Sequence, residues 1–249
     1  MNIISSSYGN DSVALIQWAI EQGLPDVYVV YCDTGWAAPG WDDRVSECEN
    51  WVREIGFIHI RVKSMGMEEL VLMKKGFPAN QYQFCTAHLK GIPFLTWIDE
   101  IDPQRRAMVM VGKRRAESRA RAETPMYVYA SEPHGERLLY HPLYMHTNED
   151  RDALVRRAGF EILPHRSQEC SPCVNANRAD FKLMTTEQIE RVCALEVELG
   201  KPMFRPKRFG AIGIHGVIAW ANHGRKRMQL EPDELIAGSG CDGNYGCGL

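Results

Sequence analysis

The sequence predicts an α/β fold: an open, mostly parallel twisted sheet with helices on both faces, followed by a small cysteine-containing C-terminal subdomain. Three observations carry this expectation. Short apolar, β-prone runs alternate with segments whose apolar residues recur at helical spacing. The run Val27-Tyr28-Val29-Val30-Tyr31-Cys32 is continuously apolar, as a parallel strand covered on both faces must be. Small or polar loops open at the carboxyl ends of these runs. With 249 residues, 45% of them hydrophobic, the chain can bury a substantial core. Residues 1–160 are expected to form the α/β domain and residues 161–249 a helical or irregular subdomain, with a seam near residue 160.

Ile3 and Ile4 begin the first strand. The loop Ser7-Tyr8-Gly9-Asn10-Asp11-Ser12 follows, and a helix is predicted over 13–20, stopped by Gly23. A strand, a small-residue loop and a helix N-terminus present backbone N–H groups and hydroxyls at the positive end of a helix dipole, where an anion such as pyrophosphate can be held. The alternative is that Asp11 or Ser12 merely caps the helix and the serines form a polar turn. The strand over 27–32 ends at Asp33-Thr34-Gly35, and a right-handed crossover is expected between the two strands. Then come a helix over 42–55, a strand over 58–62, a helix over 67–75, a loop over 78–84, a helix over 86–100 and a strand over 107–111. Gly112 and a basic segment lie just beyond, which places the ligand crevice outside the strand ends. Residues 127–144 read as a hairpin or extended excursion around Pro133-His134-Gly135, and 148–158 as a helix. Thr185 and Gln188 form a capping box for a helix running to Leu199. The remainder, rich in Gly, Arg and Lys, is weakly periodic.

The formal net charge of −3 argues against a general nucleic-acid coat. Basic residues are nonetheless clustered, at Lys113-Arg114-Arg115, Arg119, Arg121, Lys207-Arg208 and Arg225-Lys226-Arg227 among others, which fits local phosphate sites or solvated helix faces. With no signal peptide and no long apolar run, a soluble cytoplasmic chain without membrane attachment is expected. Eight cysteines in such a chain read better as metal, redox or buried residues than as a disulfide framework. Cys32, Cys48 and Cys193 fall in strand or helix patterns and are assigned to packing. Cys85, Cys170, Cys173, Cys241 and Cys247 remain.

The Ser7 to Ser12 loop resembles the PP-loop, Ser-Gly-Gly-x-Asp-Ser, of the adenine-nucleotide α-hydrolase-like superfamily. Further segments resemble the successive motifs of the phosphoadenosine phosphosulfate (PAPS) reductase family: Asp33-Thr34-Gly35, Cys85-Thr86 with Leu89-Lys90 and Pro93, Gly112-x-Arg114-Arg115-x-Glu117-Ser118 with Arg121, His141-Pro142-Leu143, the helix beginning at Asn148, and Cys170-Ser-Pro-Cys173. The resemblance covers roughly residues 3–200 and implies a Rossmann-like PP-loop domain binding an adenine nucleotide, either ATP or a sulfonucleotide (APS or PAPS). Two departures stand out. Tyr8 replaces the first loop glycine and is expected to place a ring near the phosphate path, and Asn10 stands where many members carry lysine.

Carried onto this chain, the resemblance implies that Ser5, Ser7, Tyr8, Gly9, Asn10, Asp11 and Ser12 hold phosphates, while Asp33, Thr34 and Gly35 border the nucleoside. Lys90, Gly112, Arg114, Arg115, Ser118 and Arg121 are further nucleotide contacts, with guanidinium groups suited to bidentate phosphate or sulfate binding. Asp11, Arg115 and Cys247 are the candidate catalytic residues. Asp11 either holds Mg²⁺ on a triphosphate or caps the helix. Cys85, Cys170 and Cys173 with Cys241 are the candidate ligands of a [4Fe–4S] cluster, or of Zn²⁺ as second choice; Cys247 and His165 are alternative fourth donors, and a merely redox-active or buried Cys-x-x-Cys is the other reading. The tail Cys241 to Leu249 partly resembles the reductases' Glu-Cys-Gly-Leu-His ending, with Gly246 in place of the glutamate and no histidine. Three functions follow. The first is ATP pyrophosphatase-type adenylation linked to sulfur transfer or to modification of a nucleotide or nucleic acid, with a sulfur donor as partner. The second is sulfonucleotide reduction by Cys247 with a dithiol reductant, and the third is a catalytically silent nucleotide-binding regulator.

Overall fold

The computed structural model describes residues 1–204 and 212–222. Six strands form one sheet: β1 (Asn2–Ser6), β2 (Val27–Asp33), β3 (Ile58–Lys63), β4 (Met108–Val111), β5 (Tyr127–Ser131) and β6 (Arg137–Tyr140). Their spatial order is β3-β2-β1-β4-β6-β5. Every neighbouring pair is parallel except β5 with β6, which is antiparallel with a register shift between Val128 and Ser131. The expected excursion over 127–144 is thus a hairpin whose second strand, β6, docks on β4.

Period-two alternation sorts the sheet's side chains onto two faces. Ile4, Val29, Tyr31 and Met110 meet α1 (Asn10–Glu21), α2 (Trp41–Glu54) and α7 (Asn148–Arg157) in one buried cluster. Ile3, Val30, Cys32, Val109 and Val111 meet Phe94 and Ile98 of α5 (Ile92–Ile101) on the other. Cys32 and Cys48 are buried packing residues and Cys193 is half-buried among apolar neighbours, as assigned from the sequence. A third cluster joins Trp36, Leu89 and α3 (Met67–Lys74) to the later helices α8 (Arg178–Lys182), α9 (Thr186–Leu199) and α10 (Gly213–Asn222), so its residues come from both sides of residue 160.

Two local features depart from the periodicity. The helix expected over 86–100 is a short α-turn, α4 (Phe84–Thr86), a π-helical segment over Ala87–Gly91 and then α5, and the π segment carries the buried Lys90. The segment read as weakly periodic contains α10. A short helix, α6 (Arg119–Ala122), follows β4 in the basic segment. The capping box at Thr185 forms as expected: its hydroxyl accepts from the Gln188 N–H at 3.3 Å, and the Gln188 side chain accepts from the Thr185 N–H at 2.9 Å.

Candidate functional site

The chain lays β2 and β3 to one side of β1, then returns with β4 on the other, so connections leave in opposite directions at the carboxyl ends of β1 and β4. Open α/β sheets place a crevice at such a point. Here it holds a cavity of about 480 Å³. Ser7, Gly9, Asn10, Asp11 and Ser12 line it from the first loop and the first turn of α1; Gly112, Lys113, Arg114, Glu117 and Arg121 line it from beyond β4. Asn148 and Arg151 of α7 and the segment 163–167 close the remaining walls.

The first loop is folded by its own hydroxyls. Ser12 Oγ accepts from the Ser7 N–H at 3.0 Å, and Ser6 Oγ accepts from the Tyr8 N–H at 3.1 Å. The N-cap of α1 is Gly9, with no side-chain capping bond, so neither Asp11 nor Ser12 serves as the cap. The first-turn N–H groups have no helical carbonyl to serve them and belong to the cavity wall. Tight approaches define the shape. A Cβ on Gly112 would sit 2.8 Å from the Asp11 carbonyl oxygen, and one on Gly9 would sit 3.0 Å from Ser167 Cβ.

Five cationic side chains, Lys113, Arg114, Arg121, Arg151 and Arg166, face two carboxylates, Asp11 and Glu117. Arg114 is only 1% exposed; its Nε donates to Asp11 Oδ1 at 2.5 Å and its Nη1 to Asn148 Oδ1 at 3.0 Å. Glu117 accepts from the Arg114 backbone N–H at 2.8 Å and pairs with Arg121. Burial, and then the Asp11 carboxylate nearby, push the Glu117 carboxyl above its ordinary range. Arg151 is paired with Asp152 and Arg166 with Asp180, the latter at 2.7 Å, so four of the five cations already have a carboxylate partner; the ring of guanidinium groups, with backbone donors at a helix N-terminus, suits an anionic ligand.

Several residues singled out from the sequence lie elsewhere. Tyr8 takes a left-handed backbone (φ 55°) that sends its ring into the core, fully buried and stacked on Tyr31 at 5.7 Å, so its ring does not line the cavity. Ser5 stays inside β1, where it is buried and outside the cavity wall. Asn10 lines the cavity but spends its amide on the chain: Nδ2 donates to the Leu163 carbonyl at 2.9 Å and Oδ1 accepts from the Leu163 N–H at 3.0 Å. Arg115 is exposed and reaches the Met145 sulfur at 3.7 Å instead of the cavity, and Ser118 caps α6 by accepting from the Arg121 N–H at 3.1 Å.

Asp33, Thr34 and Gly35 are also outside the main cavity, because the 167–172 segment lies over them. Thr34 Oγ1 donates to the Glu169 carbonyl at 2.7 Å, Asp33 Oδ1 accepts from the Gly35 N–H at 3.0 Å, and the Gly35 carbonyl accepts from Arg191 at 2.6 Å. Lys90 forms a buried ion pair with Glu169. Sequence reasoning missed Arg151, Arg166 and Ser167 as cavity residues, marked the Asn148 helix without giving Asn148 a site role, and weighed His165 only as a metal donor. The one signal in the loop itself was the amide at Asn10, which can grip a backbone from a distant segment.

A second, smaller cavity of about 60 Å³ is lined by Cys85, Cys170 and Cys173 together with Lys90 and Glu169. Burial pushes the Cys170 thiol up to about 12, with Lys90 opposing, and also raises the Cys85 thiol. The thiols have separate partners. Cys170 Sγ donates to Thr34 Oγ1 at 3.6 Å, whereas Cys173 Sγ accepts from the Asn175 N–H at 3.5 Å. Among the described residues, no group of three or more His, Cys, Asp or Glu side chains converges to hold a metal ion. Cys85, Cys170 and Cys173 thus share one cavity wall, while the fourth expected ligand, Cys241, and the alternative, Cys247, lie outside the described residues.

Comparison with known proteins bears on the whole arrangement. An uncharacterized 37.8 kDa protein of Escherichia phage 186 is 26% identical over 257 residues, covering 79% of this chain and 74% of that protein. The phosphate complex of phosphoadenylyl-sulfate (PAPS) reductase from Candida auris superposes with a TM-score of 0.46 at 14% identity, over 65% of this chain and 74% of that one. The phosphoadenosine phosphosulfate reductase domain matches residues 1–176, which take in the first loop, all six strands and the Cys170-x-x-Cys173 segment. The chain belongs to the phosphoadenosine phosphosulfate reductase domain family.

Proposed function

We propose that the chain is an adenine-nucleotide enzyme that binds ATP in the cavity between the β1 and β4 loops and transfers its adenylyl group. The observation that carries this reading is the set of five cationic side chains around an uncapped helix N-terminus at the switch point of the sheet. In the proposed reaction a substrate oxygen attacks the α-phosphorus, the bond to the bridging oxygen breaks, and pyrophosphate leaves. The resulting adenylate is displaced by a sulfur donor or another nucleophile, with a nucleotide or nucleic acid as the modified partner. The first-turn N–H groups of α1 and the Ser7 and Ser12 hydroxyls hold the departing pyrophosphate. Arg114, Arg121, Arg151 and Arg166 offset charge that builds on phosphate oxygens, so positioning and electrostatics supply most of the acceleration. Mg²⁺ bound to the triphosphate would neutralise phosphate charge, and Asp11, which faces the cavity, is the carboxylate to hold it. Binding of a polyphosphate is the first requirement of this reading.

Family membership favours a second reading, reduction of APS or PAPS. A tail thiolate, Cys247, would attack the sulfate sulfur, expelling the nucleotide and forming an S-sulfocysteine that a dithiol resolves to sulfite. One paired experiment separates the two: calorimetric titration of ATP, APS and PAPS, and sulfite release from APS or PAPS with thioredoxin against a Cys247→Ser control. ATP binding with pyrophosphate release and no sulfite supports adenylation. Sulfite that depends on Cys247 replaces it with the reductase reading, and binding without either product replaces both with a silent regulator.

A further inference from the structure

A groove of about 950 Å³ is bounded by residues 74–84 and by residues of α8, α10 and the 201–204 turn. Its wall has an unusual composition. It contains the lysines Lys74, Lys75 and Lys201 and the aromatic residues Phe77, Tyr82, Phe84, Phe181, Phe204 and Trp220 and, among the described residues, no carboxylate. All three lysines are exposed, although the ammonium of Lys201 also donates to the Lys75 carbonyl at 2.7 Å. Tyr82 is 68% exposed and stands edge-on to Phe84 with ring centroids 5.6 Å apart, leaving a ring face toward solvent. Lys74 Nζ lies 6.0 Å from the Phe84 ring centroid, so a cation and a ring adjoin on the wall.

We propose that this groove binds a single-stranded RNA segment. Ammonium groups at 74, 75 and 201 contact the phosphates, and bases stack on Tyr82 and Phe84. Stacking platforms interleaved with cations are how single strands are held without base-specific readout, since every base has a π face and every linkage a charge. Charge complementarity selects the occupant: a wall whose described residues include three cations and no acid favours a polyanion over an apolar peptide. The exposed side-chain amides of Asn80 and Gln81 on the same wall both donate and accept, as a ribose 2′-hydroxyl does, which favours RNA over DNA. The proposal stands apart from the adenylation reading, because the groove and the nucleotide cavity share no lining residue.

The test is fluorescence-anisotropy titration of the full chain with labelled oligo(U) and oligo(dT), without nucleotide, over a range of salt concentrations. Oligo(U) is expected to bind more tightly than oligo(dT). Tyr82→Ala is expected to weaken binding about 5- to 100-fold, the effect of losing one stacked base. Lys74→Gln with Lys75→Gln and Lys201→Gln is expected to reduce the slope of log K against log salt by about 2. All four side chains are exposed, so thermal unfolding should match the wild type. Equal or tighter oligo(dT) binding overturns the RNA assignment. No binding, as when the chain's own residues fill the groove, or binding unchanged by these substitutions overturns the site itself. Each readout is independent of ATP binding, so its failure leaves the adenylation reading untouched, and the reverse also holds.

Discussion

Gly112 sits where the loop beyond β4 presses on the first turn of α1, and replacing it with alanine tests whether that contact shapes the cavity. The added Cβ would lie 2.8 Å from the Asp11 carbonyl oxygen, 3.1 Å from the carbonyl carbon and 3.4 Å from Asp11 Cβ. Two of these are backbone atoms, so no flexible side-chain end can swing aside. Ordinary contact begins near 3.4 Å, so the two loops must part by roughly 0.6 Å. Overpacking of this kind costs about 1–3 kcal/mol. For a chain of this size that corresponds to a fall in Tm of roughly 2–12 °C. A displacement of roughly 0.6 Å between groups that grip one ligand is also costly for function, so ATP is expected to bind about tenfold more weakly. The assay pairs scanning calorimetry with ATP titration of Gly112→Ala and of Gly76→Ala, whose Cβ would meet only Lys201 Nζ at 4.0 Å. Wild-type Tm and ATP affinity in Gly112→Ala would refute the packing argument and, with it, the claim that the two loops form a single cradle.

Four further outcomes are expected. Arg166→Gln should weaken ATP binding about tenfold through loss of a charge-assisted contact, whereas Arg115→Gln, on the exposed turn, should change it less than about twofold; titration of both variants checks the assignment. Asn10→Ala strands the Leu163 N–H and carbonyl and should destabilise the fold by about 2–4 kcal/mol in urea unfolding, and Asn10→Lys should not restore the clamp. His134 and His141 are held neutral chiefly by burial, their values lowered to about 3 and about 4. Because the unfolded chain takes up protons first, stability should be full above about pH 6.5 and fall as pH drops toward 4, by up to about 2 kcal/mol per histidine at pH 5. Unfolding curves at pH 7 and pH 5 should show this, with a shallower fall in His134→Gln. If Cys85, Cys170 and Cys173 hold a cluster or zinc with a further donor, iron, zinc and sulfide analysis of anaerobically prepared protein should give a stoichiometric content that Cys170→Ser loses; equal metal content in the two proteins would refute the ligand assignment.

Local rules carried far in this chain. The apolar run over 27–32, the helical spacing over 13–20 and the capping box at Thr185 concern neighbours a few residues apart, so backbone periodicity and side-chain reach determine them without reference to the rest of the fold. The order of segments therefore gave the parallel sheet, the loop at the α1 N-terminus and the basic segment beyond β4. What the sequence could not set was direction: which way each side chain of those segments points. Tyr8 turns inward because its left-handed backbone aims the ring at Tyr31, and Arg115 turns outward while its neighbour Arg114 is buried against Asp11. Nor could spacing show that Leu163 to Ser167, some 150 residues away, would be clamped by Asn10 and bring Arg166 to the cavity. Those outcomes belong to the tertiary structure, because burial and hydrogen-bond satisfaction are settled only when distant segments compete for the same space.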